Sequence, residues 1–152
     1  MRKLLAFLGL VGVICALAAQ HGVFDRVEPP AIAEASAQTL DGCDTALAGA
    51  YANHRNAVEV CGRGTVAKVL KDDLGGARHQ RLIVRLPTGR TVLIAHNIDV
   101  APRIAGLRAG SPIEFAGEYD WNEQGGVVHW THHDPSGRHS AGWIRYGGRV
   151  YS

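Results

Sequence analysis

The sequence predicts a mainly β protein: a five-stranded OB-like barrel with one N-terminal helix, a short helix between strands 3 and 4, and a C-terminal hairpin. With 152 residues, of which 46% are hydrophobic and 20% charged, the chain suits one core rather than two. From residue 58 onward, apolar residues mostly alternate with polar ones and turn residues separate the runs. One break in the alternation lies between the third and fourth strands, which is the order of an OB-type barrel.

The first 19 residues have the features of a secretory signal peptide. Arg2 and Lys3 precede the apolar run from Leu4 to Ala19, and Ala16-Leu17-Ala18 supplies a cleavage site of small residues. An uncleaved membrane anchor is the alternative, but the run is shorter than the roughly 20 residues that span a bilayer. We therefore predict a periplasmic or secreted protein, which contacts a membrane only where the signal segment stays uncleaved.

The charge balance of the mature chain argues against nucleic acid as a partner. Removing Arg2 and Lys3 from the 16 basic residues leaves 14, which equals the 14 acidic residues. A nucleic-acid-binding protein ordinarily carries a strong basic excess. The partners that remain are a glycan, a peptide or an envelope protein, and we expect the chain to be a monomer.

Residues 20–40 contain Pro29-Pro30 and small polar residues without apolar periodicity, which predicts a flexible linker before a single domain at residues 41–152. Between Asp41 and Arg55, apolar residues recur at spacings of three and four, typical of an amphipathic helix. In an exported chain, Cys43 and Cys61 are expected to form a disulfide across a loop of about 19 residues. The alternative, two thiols in a metal site, lacks a Cys-x-x-Cys pair.

The first three strands are predicted as a meander. Alternation and the Gly and Pro residues of the turns place them at Val58 to Leu70, His79 to Leu86 and Arg90 to Ala95. Gly62 and Gly64 permit strong bending in the long first strand.

The alternation then breaks, and because Pro102 is accepted in the first turn of a helix, we predict a short helix from about Pro102 to Leu107. The fourth strand, Ile113 to Trp121, alternates cleanly between an aromatic face and an acidic one. A tight turn leads into the fifth strand, Gly126 to His133, and the chain ends in a hairpin from Trp143 to Tyr151.

The predicted hairpin register defines a candidate metal site. It pairs Glu118 with His129 and Glu114 with His133, so that His129, His133 and Glu118 share the outward face. Imidazole and carboxylate ligands of this kind suit Zn or Cu. The alternative is an ordinary surface His–Glu pair, which contributes from a few tenths to about 1 kcal/mol.

Two rings beside this site are expected on the opposite face of the same strand. Trp130 would cover Gly117 and join the core, because an aromatic ring packed over a glycine repairs a weak strand position. His132 would be a buried, hydrogen-bonded ring rather than a ligand.

The candidate ligand-binding residues lie in loops near strand ends, where the loops of a barrel gather. They are His, Asn, Asp and Arg side chains: Arg78, His79, His96, Asn97, Asp99, Arg103, Arg138 and His139. Asn97 and Asp99 also suit capping and turn positions. Asp72 and Asp73 either hold a cation or form a turn before Gly75-Gly76, and Asp134 either forms a turn or acts as a ligand or base.

Several motifs together carry a family resemblance: Lys71-Asp-Asp73, Arg78-His-Gln-Arg81, His96-Asn-Ile-Asp-Val-Ala-Pro-Arg103, Gly117-Glu-Tyr-Asp-Trp121, Gly125-Gly-Val-Val-His-Trp-Thr-His-His-Asp-Pro135 and Gly142-Trp-Ile144. They closely resemble a family of small exported bacterial proteins called domain of unknown function 3465. The likeness covers about residues 58 to 151. It implies export, but it supplies no activity and no functional residue.

We therefore expect an exported ligand-binding module that uses the barrel face and the hairpin rich in His and Trp. The alternative is a metal-dependent hydrolase, of phosphodiesterase type, with His129, His133 and Glu118 as ligands and a bound water as nucleophile. In that alternative, Arg78 or Arg138 would neutralise the developing charge. The sequence identifies no catalytic residue, because it contains no recognisable nucleophile motif.

Overall fold

The computed structural model of the protein describes the backbone of residues 31–152 and the side chains of residues 42–152. The predicted signal peptide and residues 20–30 of the predicted linker lie outside the described residues. The elements in chain order are α1 (Ala31–Ala52), β1 (Val58–Val69), β2 (His79–Arg85), β3 (Thr91–Asn97), β4 (Pro112–Asp120), β5 (Val127–His129), β6 (Trp143–Tyr146) and β7 (Arg149–Tyr151).

Helix α1 begins at Ala31 rather than near Asp41, so residues 31–40 are helical instead of linker. This part of the chain is rich in Ala, Glu and Gln, which favour helix without any apolar periodicity. The helix ends in a left-handed residue, His54 (φ 50°), where the N–H of Arg55 donates to the carbonyl of Ala50 at 2.9 Å. No helix in the described part of the chain is long and apolar enough to cross a membrane.

The strands form a closed five-stranded barrel in the order β1-β2-β3-β5-β4, closed by pairing between β1 and β4. Only the β3–β5 pair of this barrel is parallel. The first part of β1 pairs with β4 and its last part with β2, which requires the bend that Gly62 and Gly64 permit. A Cβ atom at Gly64 would lie 2.3 Å from the carbonyl oxygen of Arg85. The OB-like barrel is therefore confirmed.

The core lies inside the barrel and under α1. The inward face of β4 is as predicted, with Ile113, Phe115 and Tyr119 buried. Helix α1 closes one end of the barrel with Leu47, which is 2% exposed. The Cys43–Cys61 disulfide, also predicted, joins the helix to β1 with a Cα–Cα distance of 4.8 Å.

The short helix predicted from Pro102 to Leu107 is wrong, because the chain between β3 and β4 consists of turns. Gly106 has a φ of 66°, which a right-handed helix does not allow. Side chains hold this segment in place instead. The buried amide of Gln80 accepts from the N–H of Ile104 at 2.9 Å and donates to its carbonyl at 3.2 Å.

The fifth strand is shorter than predicted, and the reason is one backbone angle. Trp130 has a φ of 51°, so β5 ends at His129 and the alternation stops there. The predicted pairing of Glu114 with His133 is therefore wrong. Glu114 instead pairs with Arg145 of β6, and their side chains form an ion pair of 2.5 Å.

His96 makes a pH-dependent contribution to stability. Its ring is fully buried, with Nδ1 2.9 Å from the Thr131 hydroxyl and Nε2 3.1 Å from the Pro102 carbonyl. Burial, partly offset by that carbonyl, lowers the pKa of His96 from its usual 6.5. The unfolded chain therefore takes up the proton first. The stabilisation from the neutral His96 ring is fully present above pH 6.5. It is lost as the pH falls through the pKa that His96 has in the folded protein.

The free energy of unfolding of the wild type should fall between about pH 7.5 and pH 5 because of His96. We expect this fall to be smaller in His96→Gln, although the variant is less stable than wild type at both pH values. Urea denaturation of both proteins at the two pH values measures this difference. An equal loss in wild type and variant would show that His96 does not carry the dependence.

Candidate functional site

A row of ionisable side chains crosses the outward face of three neighbouring strands. Glu59 of β1 lies directly opposite Glu118 of β4, which in turn lies directly opposite His129 of β5. The predicted pairing of Glu118 with His129 is therefore confirmed. Gly117 makes this close approach of β5 feasible, because a Cβ atom there would lie 2.3 Å from the carbonyl oxygen of His129.

Glu118, Asp120 and His129 form a compact set that we call the carboxylate–histidine group. The Nε2 atom of His129 lies 2.9 Å from Oδ2 of Asp120 and 3.7 Å from Oε1 of Glu118. One ligand atom from each residue lies within 4.8 Å of the other two. His133, predicted as a member, is exposed and outside the group, and Asp120 takes its place.

These carboxylates have little positive charge around them. Within residues 42–152, no lysine or arginine forms an ion pair with Glu59, Glu118 or Asp120. The other oxygen of Asp120 accepts from the N–H of Ala57 at 2.9 Å. The Ser140 hydroxyl donates to Glu59. His129 is the imidazole in contact with Glu118 and Asp120.

A cavity of about 300 Å³, which we call the β1/β4 cavity, adjoins this row. It lies between β1, β4 and the segment of residues 130–142, which we call the β5–β6 loop. Its principal polar and aromatic lining consists of Glu59, Glu118, Trp130, His139 and Ser140. The loop is closely packed here, since a Cβ atom at Gly142 would lie 2.0 Å from the carbonyl oxygen of Trp130.

Trp130 lines this cavity instead of joining the core, because its positive φ turns the chain away from the strand. Its ring is the centre of an aromatic cluster. The ring centroids of His139, His129 and His132 lie 4.4, 5.5 and 5.9 Å from that of Trp130. Trp130 is therefore surrounded by three imidazoles, that of His129 in β5 and those of His132 and His139 in the β5–β6 loop.

Two of these imidazoles contain buried nitrogens without a hydrogen-bond partner in the described chain: Nε2 of His132 and Nε2 of His139. His132 is 4% exposed and its Nδ1 bonds the carbonyl of His133 at 2.9 Å, in agreement with the buried ring expected for it. The His139 side chain is 7% exposed, and the carboxylate of Asp134 lies 3.8 Å from its Nε2, beyond hydrogen-bond distance.

Asp134 organises the β5–β6 loop, which is the turn role considered for it. Its carboxylate accepts from the hydroxyl and the N–H of Ser136 and from the N–H and side chain of Arg138. These hydrogen bonds, those from Ser136 first, hold the pKa of Asp134 well below its usual range. Arg138 is thereby committed to an ion pair within the loop.

Most of the predicted ligand-binding residues lie outside the lining of the β1/β4 cavity and contact other protein groups. Arg78 forms an ion pair of 2.6 Å with Asp99, and its hydrogen bonds lower the pKa of that carboxyl group. Arg103 pairs with Asp72 at 3.2 Å. Asn97 accepts from the N–H of Asp99, which is the capping role considered for it.

The remaining predicted positions outside the cavity have structural partners as well. His79 bonds the carbonyl of Ala77 through Nδ1, and His96 is the buried ring already described. Asp73 accepts from the N–H of Gly75, which is a turn. Among the eight predicted ligand-binding residues, His139 alone lines the β1/β4 cavity.

Four residues of the site were not predicted as members of it: Glu59, Asp120, Trp130 and Ser140. Asp120 could have been predicted from the sequence, because it lies on the same face of β4 as Glu118. Glu59 could not, because its position depends on the pairing of β1 with β4, which no local turn determines.

Comparison with known proteins supports the family resemblance and gives no activity. A family model described as "Protein of unknown function (DUF3465)" matches residues 31–152, which includes helix α1 as well as the barrel. No curated protein matches the chain.

Proposed function

We propose that the chain, which belongs to the DUF3465 family of proteins of unknown function, is an exported ligand-binding module whose ligand occupies the β1/β4 cavity. The observation that carries this proposal is the cavity itself, whose lining places Trp130 and His139 beside the carboxylates of Glu59 and Glu118. An aromatic ring next to a few polar groups in a concave site is the usual composition of a small-molecule site. The Cys43–Cys61 disulfide supports export, because such bonds persist in oxidising compartments.

The size and lining of the cavity narrow the class of ligand. Its volume of about 300 Å³ is at the lower end for ligand pockets and suits a small molecule or the end of a larger one. Glu59 and Glu118 accept hydrogen bonds, His139 can donate or accept one, and Trp130 offers an apolar ring. This combination favours a neutral ligand rich in hydroxyl groups, and a glycan is the expected partner that fits best.

The hydrolase alternative has less support for phosphodiesters. Both arginines considered for charge neutralisation form ion pairs away from the cavity, Arg78 with Asp99 and Arg138 with Asp134. The binding module therefore has the better support.

Titration of the mature protein with a panel of neutral oligosaccharides, followed by calorimetry and tryptophan fluorescence, tests the proposal. We expect Trp130→Ala to weaken binding about tenfold or more, because truncating a buried aromatic anchor removes much of the contact energy. Trp143→Ala is the matched control, since Trp143 is also half-buried but lies outside the cavity. Equal losses in both variants, or no binding of any oligosaccharide, would contradict the proposal.

A further inference from the structure

We infer that Glu118, Asp120 and His129 bind a divalent transition-metal ion, Zn²⁺ by the chemistry of their donor atoms; of the three, Glu118 also lines the β1/β4 cavity. The inference that these residues bind an ion does not depend on the proposed function. The role of the ion as a contact for the ligand in the cavity rests on the proposed function.

The distances within the carboxylate–histidine group fit such an ion closely. Two ligand atoms about 2.0 Å from a tetrahedral Zn²⁺ lie about 3.3 Å from each other. The observed separations from Nε2 of His129, 2.9 Å to Asp120 and 3.7 Å to Glu118, lie on either side of this value. The oxygens of Asp120 and Glu118 lie within 4.8 Å of each other, and the 2.9 Å contact of His129 with Asp120 is a hydrogen bond that the ion would replace.

The backbone already holds the three residues in position. Glu118 and His129 are direct partners across antiparallel strands, and Asp120 is two residues along β4 on the same face. All three side chains are half-buried, with exposures of 26% for His129, 28% for Glu118 and 40% for Asp120. The group is therefore accessible to an ion without a large rearrangement.

The surrounding charges supply an independent reason for a cation. Glu59 and Glu118 lie directly opposite each other on adjacent strands, an arrangement that destabilises a sheet when both are ionised. Within residues 42–152 the two glutamates and Asp120 have no lysine or arginine partner. A divalent ion would offset this excess of negative charge.

His139 is the other imidazole that lies beside Glu118 in the cavity lining. Its Nε2 is buried without a hydrogen-bond partner and lies 3.8 Å from the Asp134 carboxylate, so the ion site does not include it.

The donor set selects the kind of ion. Two carboxylates and one imidazole are three protein ligands, which leaves the fourth tetrahedral position of Zn²⁺ open. An imidazole ligand disfavours Mg²⁺ and Ca²⁺, which prefer oxygen ligands throughout. Cu²⁺ binds most nitrogen and oxygen sites more tightly than Zn²⁺, so copper must be included in the test as a competitor.

The test uses the mature protein, purified without a histidine tag and stripped with a chelator, in equilibrium dialysis and calorimetry with Zn²⁺, Cu²⁺ and Mg²⁺. We expect one Zn²⁺ per chain and no uptake of Mg²⁺ at the same concentration. His129→Ala should weaken Zn²⁺ binding at least 100-fold. Asp120→Asn, which keeps the size of the side chain, should weaken it at least tenfold and serves if His129→Ala fails to fold.

Matched histidine variants identify the atoms that hold the ion. His133→Ala removes an exposed imidazole four residues from His129 and should leave Zn²⁺ affinity unchanged. Undiminished binding in His129→Ala would overturn the inference, because the ion would then be held elsewhere. A loss of binding confined to His139→Ala would also overturn it, by placing the ion on the imidazoles of the β5–β6 loop.

The two proposals fail in distinguishable ways. Stoichiometric Zn²⁺ without oligosaccharide binding, in either the zinc-loaded or the zinc-free protein, would support the metal site and overturn the proposed function. Oligosaccharide binding by a protein that takes up no Zn²⁺ would support the function and overturn the metal site.

Discussion

Replacement of Phe115 by alanine is expected to lower the free energy of unfolding by about 4 kcal/mol, the largest effect of any substitution considered for this protein. Phe115 is fully buried in the middle of β4, where its cross-strand partners are Gly62 of β1 and Ile144 of β6. A Cβ atom at Gly62 would lie 2.8 Å from the tip of the Phe115 ring and 3.4 Å from Leu47 of the helix. The ring therefore fills space shared by the barrel, α1 and the C-terminal hairpin.

Urea denaturation followed by circular dichroism measures this loss. Val150→Ala is the control, because Val150 is 56% exposed and its truncation should cost less than about 0.5 kcal/mol. If Phe115→Ala lowers the free energy of unfolding by less than about 1 kcal/mol, the barrel, α1 and the C-terminal hairpin do not pack together around this ring.

Removal of the Cys43–Cys61 disulfide is expected to lower the free energy of unfolding by about 3 kcal/mol. The bond closes a loop between residues 18 apart in sequence, so the chain-entropy model assigns the effect mainly to a less constrained unfolded state. For a domain of this size, the melting temperature should fall by roughly 10 °C. The change also frees α1 from β1 next to the cavity, which Cys61 lines.

Thermal melts with and without a reductant provide the measurement. The double variant Cys43→Ser with Cys61→Ser should melt at the lower temperature and should not respond to the reductant. Two freely reacting thiols in protein recovered from an oxidising compartment would contradict the expected bond.

The parts of the fold that local patterns determine were predictable. The tight turn after Trp121 sets the β4–β5 register, and from it the pairing of Glu118 with His129 follows directly. Alternation alone gave the buried face of β4, including Phe115 and Tyr119.

The errors in the candidate site have a different physical origin. His133 was assigned to the site because alternation was extended through Trp130, whose left-handed φ could not be read from an indole side chain. Glu59 was missed because β1 and β4 are distant in sequence, and only closure of the barrel brings Glu59 to Glu118. The pairing of Arg78 with Asp99 also depends on two loops meeting in space.

The C-terminal hairpin has a consequence for self-association. In the described part of the chain, β7 is the edge strand of the sheet, because it pairs only with β6. The strand at the other end of the order, β1, pairs with β4 and closes the barrel. An edge strand exposes backbone groups to which a second molecule can add a strand. This edge is only the three residues Arg149–Tyr151, and it carries the charge of Arg149. A short, charged edge resists the addition of a strand from a second molecule.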